Sequence, residues 1–166
     1  TLQLALAIFI LAVALGVPLG VVTSMYRGGL LDRSLTIIGL VAISIPSFLF
    51  GLLMLSFFAF KLRLFPVGGY GTPAHLVLPA LTVALPWAAW YGIVLRSNML
   101  DSIAQDYART AAAKGLSRWT IAWRHLLPNA IAPALVFAMS DFVLDILAGA
   151  SLGPFGLGVP PAAPEW

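Results

Sequence analysis

The amino-acid sequence predicts an all-α fold, a bundle of membrane-spanning helices that forms one domain over residues 1–166. The first observation is that 61% of the 166 residues are hydrophobic, with a mean hydropathy of +1.00. The second is that charged residues make up 9% of the chain, whereas a soluble domain carries about 25%. The third is that several apolar runs reach the length of about 20 residues that a helix needs to cross a bilayer.

Composition also excludes several functional classes. The net charge of +3 and the pI of about 9.7 do not indicate nucleic-acid binding, because the basic residues are few and are separated by apolar runs. The absence of cysteine excludes disulfides, thiolate metal sites and cysteine catalysis. A Gly-x-x-x-x-Gly-Lys-Ser/Thr sequence is also absent, so the chain does not bind ATP through a P-loop.

The apolar runs predict four spans, at about residues 2–25, 34–60, 75–95 and 126–150. The first apolar run begins at the first residues of the sequence, which we interpret as a true span in a chain whose beginning is missing. Ser44, Pro46 and Ser47 interrupt the second span, which is either a kinked packing helix or a pore-lining bend. Pro79 and Pro86 argue against a continuous straight helix in the third span.

One polar segment, residues 101–125, interrupts these spans and is called the coupling segment below. A segment this charged cannot lie across a bilayer, so it faces water. Ile103, Tyr107, Thr110, Ala111 and Lys114 follow one another at helical spacing. Gly115 suits a helix end. Ser117 suits the start of a second helix that reaches Arg124. The segment therefore predicts two short helices around a glycine break.

The basic residues predict which side of the membrane the coupling segment faces. Of the nine Lys and Arg residues, only Lys61 and Arg63 fall on the side opposite the coupling segment. The excess of basic residues marks the cytosolic side of a membrane protein. The other seven are Arg27, Arg33, Arg96, Arg109, Lys114, Arg118 and Arg124.

The sequence YARTAAAKGLSRWTIAWRHLLPN, residues 107–129, resembles the conserved cytoplasmic loop of the membrane subunits of ABC importers. That loop has Glu-Ala-Ala, then a Gly, then Ile-x-Leu-Pro, and Gly115 and Pro128 have the matching separation. Arg109, Thr110 and His125 replace the Glu, the first Ala and the Ile. The Tyr-x-Arg-Thr-Ala-x-Ala-Lys-Gly form resembles the variant found in the dipeptide, oligopeptide and nickel importers. The three departures from the general motif therefore indicate this branch of the family.

The resemblance implies a permease subunit in the cell inner membrane that forms a translocation path for peptides or nickel. It implies as partners a second permease subunit, two ATPase subunits and an extracytoplasmic solute-binding protein, besides the lipid bilayer. ATP and Mg would be bound by the ATPase, and this chain would bind no cofactor or metal and catalyse no reaction. Family members have about six spans, so this sequence resembles the central part of a longer permease.

The resemblance places contact with the ATPase in the coupling segment and the residues just after it. Gly115 would set the angle between the two helices, and Arg109 and Lys114 would meet acidic groups of the ATPase. The full set of expected contact residues is Asp106, Tyr107, Arg109, Thr110, Ala111, Ala113, Lys114, Gly115, Leu116, Leu127 and Pro128. Residues expected along the translocation path are Ser44, Pro46, Ser47, Asp141 and Asp145.

Asp141 and Asp145 lie one helical turn apart, and the resembled family does not explain them. A carboxylate in a span must face water or a partner, so the two acids either line the path and favour cationic groups or contact a neighbouring span. A proton-coupled secondary transporter that uses these two acids is the alternative function. An intramembrane aspartyl protease is disfavoured, because such enzymes place the two acids on different helices.

Overall fold

A computed structural model describes the backbone of residues 2–67 and 73–151, and the side chains of residues 2–67 and 74–142. Throughout these described parts every regular element is helical, which confirms the all-α prediction. The α-helices are α1 (Leu2–Met25), α2 (Leu30–Ser44), α3 (Ser47–Met54), α4 (Pro73–Ile103), α5 (Asp106–Ala113), α6 (Arg118–Ile121) and α7 (Leu127–Ser151). Two π-helical segments, Leu55–Lys61 and Ala122–Leu126, extend α3 and join α6 to α7.

The centre of the bundle is the contact between α1 and α4, which run in the same direction. Small residues allow the two backbones to approach, as is typical of helix packing in lipid. A Cβ atom on Gly16 would lie 2.8 Å from the carbonyl oxygen of Ala88, and one on Gly20 would lie 2.9 Å from that of Gly92. Further along, the Ser24 hydroxyl group lies 3.5 Å from the sulfur of Met99.

Helix α7 runs antiparallel to α1 and α4 and completes the core. Ala130, near its start, belongs to the buried cluster around Val21 and Leu95, whereas Ala138 belongs to the cluster around Ile8. The side-chain amide of Asn98 on α4 donates a hydrogen bond of 3.2 Å to the carbonyl oxygen of Ala130. Three helices therefore share one core along their length.

Helices α2 and α3 form a broken element on the outside of this core. They meet at an angle of 106°, and the break falls at the predicted Ser44–Ser47 sequence. Pro46 has no N–H group to continue the helix. The Ser44 hydroxyl group donates a hydrogen bond of 2.7 Å to the carbonyl oxygen of Leu40, one turn earlier. Gly39 faces Ala89 of α4, while most of the remaining α2 side chains are exposed.

Helix α4 differs from the prediction, because it is one continuous helix over Pro73–Ile103 that contains both Pro79 and Pro86. Each proline removes one backbone hydrogen bond, which neighbouring groups can offset in a membrane helix. The buried Thr82 hydroxyl group donates to the carbonyl oxygen of Leu78 at 2.8 Å. Packing against α1 on one side and α7 on the other also holds the helix together.

Two described helices, Leu2–Met25 and Ala74–Ile103, are long and apolar enough to cross a membrane. The bent pair Leu30–Ser44 and Ser47–Lys61 makes a third if it is one span. The Gly- and Pro-rich end of the sequence, residues 152–166, lies outside the described residues. The chain thus has two or three candidate spans in the parts of the chain that the structure describes.

Candidate functional site

The coupling segment, residues 101–125, begins within the last turn of α4. Ile103 is the last residue of α4, so the prediction that it opens the first short helix was wrong. The first short helix is instead α5, which starts at Asp106 after two residues that are not helical. The boundary falls there because the amide of Ala108 bonds back to the carbonyl oxygen of Gln105 at 3.1 Å, which starts a new turn.

Gly115 ends α5 in the way that the sequence indicates. Its φ angle is +77°, a conformation that glycine adopts without the steric cost that a Cβ atom brings. The amide of Gly115 donates to Ala112 at 2.9 Å, and that of Leu116 donates to Ala111 at 3.4 Å. This pair of bonds is the Schellman pattern, which satisfies carbonyl groups at a helix end.

Ser117 starts the second helix, but this helix does not end at Arg124. The Ser117 hydroxyl oxygen accepts a hydrogen bond of 3.2 Å from the amide of Thr120, as an N-cap should. From Arg118 the chain remains helical through the π segment and into α7. Asn129 donates to the carbonyl oxygen of His125 at 2.7 Å, near Pro128, which has no N–H group to donate. Helical backbone is therefore continuous from α6 into α7.

Most of the expected contact residues are exposed at this end of the bundle. Ala111 is an exception, because it is buried together with Ala108 on the face of α5 that packs against the bundle. Leu127 is half-buried. The exposed members are Asp106, Tyr107, Arg109, Thr110, Ala113, Lys114, Gly115, Leu116 and Pro128.

The exposed face of the coupling segment is basic. Arg109, Lys114, Arg118 and Arg124 are all exposed. Arg109 lies 3.6 Å from the carboxylate of Asp106, and both side chains are largely open to solvent. An exposed pair of this kind contributes little to stability. The coupling segment therefore presents a positively charged surface to solvent. This surface lies at the end of the bundle where α6 continues into α7.

The turn after α1 lies at the same end of the bundle. The ring of Tyr26 packs edge-on against that of Trp119 in α6, with 6.3 Å between the centroids. Both rings are partly exposed. This contact puts the 26–29 turn and the coupling segment on one side, which agrees with the prediction from the basic residues.

The expected path residues form two separate groups. Ser44, Pro46 and Ser47 are exposed at the break between α2 and α3. Asp141 is half-buried on α7 with its side chain next to Tyr91 of α4, and its Oδ2 atom is shielded from solvent. The side chain of Asp145 lies outside the described residues. The two groups lie on different elements, one at the break between α2 and α3 and the other on α7.

An ion pair between the buried Asp32 and the half-buried Arg96 is the feature that sequence analysis missed. Arg96 donates through Nε to Oδ1 of Asp32 at 2.7 Å and through a terminal nitrogen to Oδ2 at 2.8 Å. The amide of Gly28 also donates to Oδ2 at 2.8 Å. Asp32 is 3% exposed. Because 64 positions separate the two residues, no local spacing could have indicated the pair.

Comparison with known proteins agrees with the resemblance seen in residues 107–129. Residues 16–166 match the family described as binding-protein-dependent transport system inner membrane component. The dipeptide transport system permease protein of Bacillus subtilis is 37% identical over 147 residues, which cover 89% of this chain and 47% of that protein. A probable peptide ABC transporter permease of Sinorhizobium fredii is 36% identical over 154 residues, covering 88% of this chain and 49% of that protein.

A probable D,D-dipeptide transport system permease protein of Escherichia coli is 32% identical over 181 residues, covering 92% of this chain and 53% of that protein. The chain spans about half the length of the curated relatives that it matches. The family match and the apolar helices identify a multi-pass protein of the inner membrane. The chain belongs to the family of binding-protein-dependent transport system inner membrane components.

Proposed function

We propose that the chain belongs to a permease subunit of an ATP-driven, binding-protein-dependent peptide importer. The observation that carries this proposal is the exposed, basic coupling segment whose second helix, α6, continues without a break into α7. A displacement of such a surface by a partner is passed along a rigid element into the bundle. The names of the relatives, which include dipeptide and peptide permeases, support peptides as the substrate class.

The partners follow from the same proposal. A second permease subunit completes the path, two ATPase subunits bind the coupling segments and hold ATP and Mg, and a solute-binding protein delivers the peptide. The contact with the ATPase uses the exposed coupling residues, with Ala111 supporting α5 from its buried side. Nickel remains a second substrate to be tested, since the resembled branch includes nickel importers. In this proposal α1, the α2–α3 element, α4 and α7 are the four spans.

The path is proposed to pass the break between α2 and α3. Backbone that is not helical is tolerated at membrane depth only where protein or a water-filled cavity covers it. Ser44, Pro46 and Ser47 are exposed at the break, which favours the pore-lining interpretation over that of a simple packing kink. Asp145 on α7 is proposed as a further residue along this path, and Asp141 as a residue beside it that contacts Tyr91 of α4.

The test is uptake of a labelled dipeptide into vesicles that contain the full-length permease and its partners. We expect uptake to require the ATPase subunits and to continue when a proton uncoupler is added. Uptake that stops with the uncoupler and does not need ATP would instead support a proton-coupled secondary transporter using Asp141 and Asp145. Adding nickel ions to the same assay, in place of the dipeptide, separates the two substrate classes.

A further inference from the structure

The ion pair between Asp32 and Arg96 joins three separate parts of the chain at the end that carries the coupling segment. Asp32 lies in the first turn of α2, Arg96 lies on α4, and Gly28 lies in the turn after α1. Three hydrogen bonds of 2.7 to 2.8 Å converge on the two carboxylate oxygens. The carboxylate is therefore fixed in both position and orientation.

A partly buried ion pair of this kind is weak evidence for a role in stability. Well-packed apolar side chains of similar volume often stabilise a protein as well as such a pair does. A fork of two parallel bonds from arginine to a carboxylate, however, specifies geometry in a way that apolar contact cannot. The pair is thus better suited to hold α2 in register with α4 than to add stability.

Helix α2 depends on this pair more than the other long helices do on any one contact. Only Asp32 and Gly39 are buried along α2, whereas nine residues of α1 are buried. The exposed side chains on α2 include Ile37, Ile38, Leu40 and Val41. Apolar packing along α2 is therefore sparse, and the ion pair is its most directional contact with the core.

The ion pair is also linked to the coupling segment. Arg96 lies about two helical turns before the end of α4 at Ile103, and α5 starts just beyond. The 26–29 turn, which donates to Asp32 through Gly28, is also held against α6 by the Tyr26–Trp119 contact. The coupling segment is therefore connected to Asp32 in two ways, through α4 and through the turn.

We propose that Asp32 and Arg96 are a positioning pair that passes movement of the coupling segment to α2, and so to the break at Ser44–Ser47. Neither residue touches the substrate or the ATPase in this scheme. The inference rests on the proposed function, since it requires that the coupling segment be moved by a partner. It adds a second route into the bundle besides the continuous helix from α6 to α7.

The experiment uses the full-length permease assembled with its partners in vesicles, and it measures the number of ATP molecules hydrolysed for each dipeptide taken up. The variants are Asp32→Asn, Arg96→Lys, the charge exchange Asp32→Arg with Arg96→Asp, and the apolar pair Asp32→Leu with Arg96→Met. Arg33→Gln is the matched control, because Arg33 is the next residue on α2 and is exposed. The amount of assembled complex is measured for each variant.

We expect the ATP cost of each dipeptide to rise about tenfold in Asp32→Asn, a change of about 1.4 kcal/mol in coupling. The apolar pair should assemble in normal amounts and yet show the same rise. The ATP cost in Arg96→Lys should lie between those of the unmodified protein and Asp32→Asn, because lysine keeps the positive charge but cannot form the two parallel hydrogen bonds. The charge exchange should recover part of the coupling, and Arg33→Gln should behave as the unmodified protein does.

Two results would overturn the inference. One is an apolar pair that transports with normal ATP cost, because the directional bonds would then be unnecessary. The other is an uptake loss in Asp32→Asn that follows the amount of assembled complex, with the ATP cost unchanged, because the role would then be structural. Neither result affects the proposed function, which fails only if the unmodified complex shows no ATP-dependent uptake.

Discussion

Gly16 on α1 and Ala88 on α4 bring their backbones into direct contact. A Cβ atom on Gly16 would lie 2.8 Å from the carbonyl oxygen of Ala88 and 3.1 Å from the Cβ atom of Tyr91. Because the nearest atom belongs to the backbone of a buried helix, it cannot move aside as a flexible side chain could. This contact sets the distance between the two helices at the centre of the bundle.

Gly16→Val should therefore force α1 away from α4. We expect a loss of about 1–3 kcal/mol in the free energy of unfolding, the range seen for overpacked cores. Thermal unfolding of the purified protein in detergent measures the effect. Ala14→Val is the matched control, because Ala14 is exposed on the same helix, and it should unfold near the temperature of the unmodified protein. Equal stability of the two variants would mean that the close contact is not required.

Replacement of Gly115 should act on the backbone alone. A Cβ atom there would meet no other atom within 4 Å, while the φ angle of +77° disfavours most side chains. A residue with a Cβ atom costs about 1–2 kcal/mol in this conformation, enough to change a conformational ratio by about 5–30-fold. We expect ATP-dependent uptake to fall in the order Gly, Asn, Ala, Val, because asparagine adopts this conformation most easily of the three substitutes.

Membrane insertion should be unchanged throughout the Gly115 series, which fractionation and blotting can check. Ala112→Val is the control for added bulk, since Ala112 is exposed one turn earlier on α5 and is not among the expected contact residues. Normal uptake in Gly115→Val would contradict the proposed role of this break in coupling.

Charge reversal should weaken the contact with the ATPase. Arg109 on α5 and Lys114 directly after it are both exposed. Like charges that face each other across an interface cost several kcal/mol, and association then depends on salt concentration. We expect Arg109→Glu with Lys114→Glu to reduce the ATPase that co-purifies by about tenfold or more at low salt. Lys61→Glu, an exposed basic residue of the π segment after α3, is the control and should bind the ATPase normally. Binding that is unchanged in the double variant would remove these two residues from the contact.

Asp141→Asn separates the two roles proposed for this acid. Because Oδ2 is shielded beside Tyr91, we expect contact between α7 and α4 to be its main role. Uptake of cationic and neutral dipeptides should then fall by the same factor, and Tyr91→Phe should have a similar effect, of about 0.6 kcal/mol in stability. A loss confined to cationic dipeptides would instead identify Asp141 as a residue of the path. Competition between the two dipeptide classes in one uptake assay gives the comparison directly.

Local chemistry accounts for what the sequence could predict. Gly115 and Ser117 end and start helices through bonds to residues within five positions, so their roles are visible in the sequence. The break at Pro46 follows in the same way from the missing N–H group. Continuity of α4 through Pro79 and Pro86 was not predictable, because packing against α1 and α7 outweighs the local preference.

The sequence by itself determined that this protein is a helical membrane protein with a polar, glycine-hinged segment at one end, because hydropathy and helix capping depend on near neighbours in the chain. Only the tertiary structure decided that Ala111 faces inward, that α6 and α7 form one helix, and that Asp32 meets Arg96. These outcomes depend on which helices pack together and at what distance. That distance is set by contacts such as Gly16 with Ala88, between residues far apart in sequence.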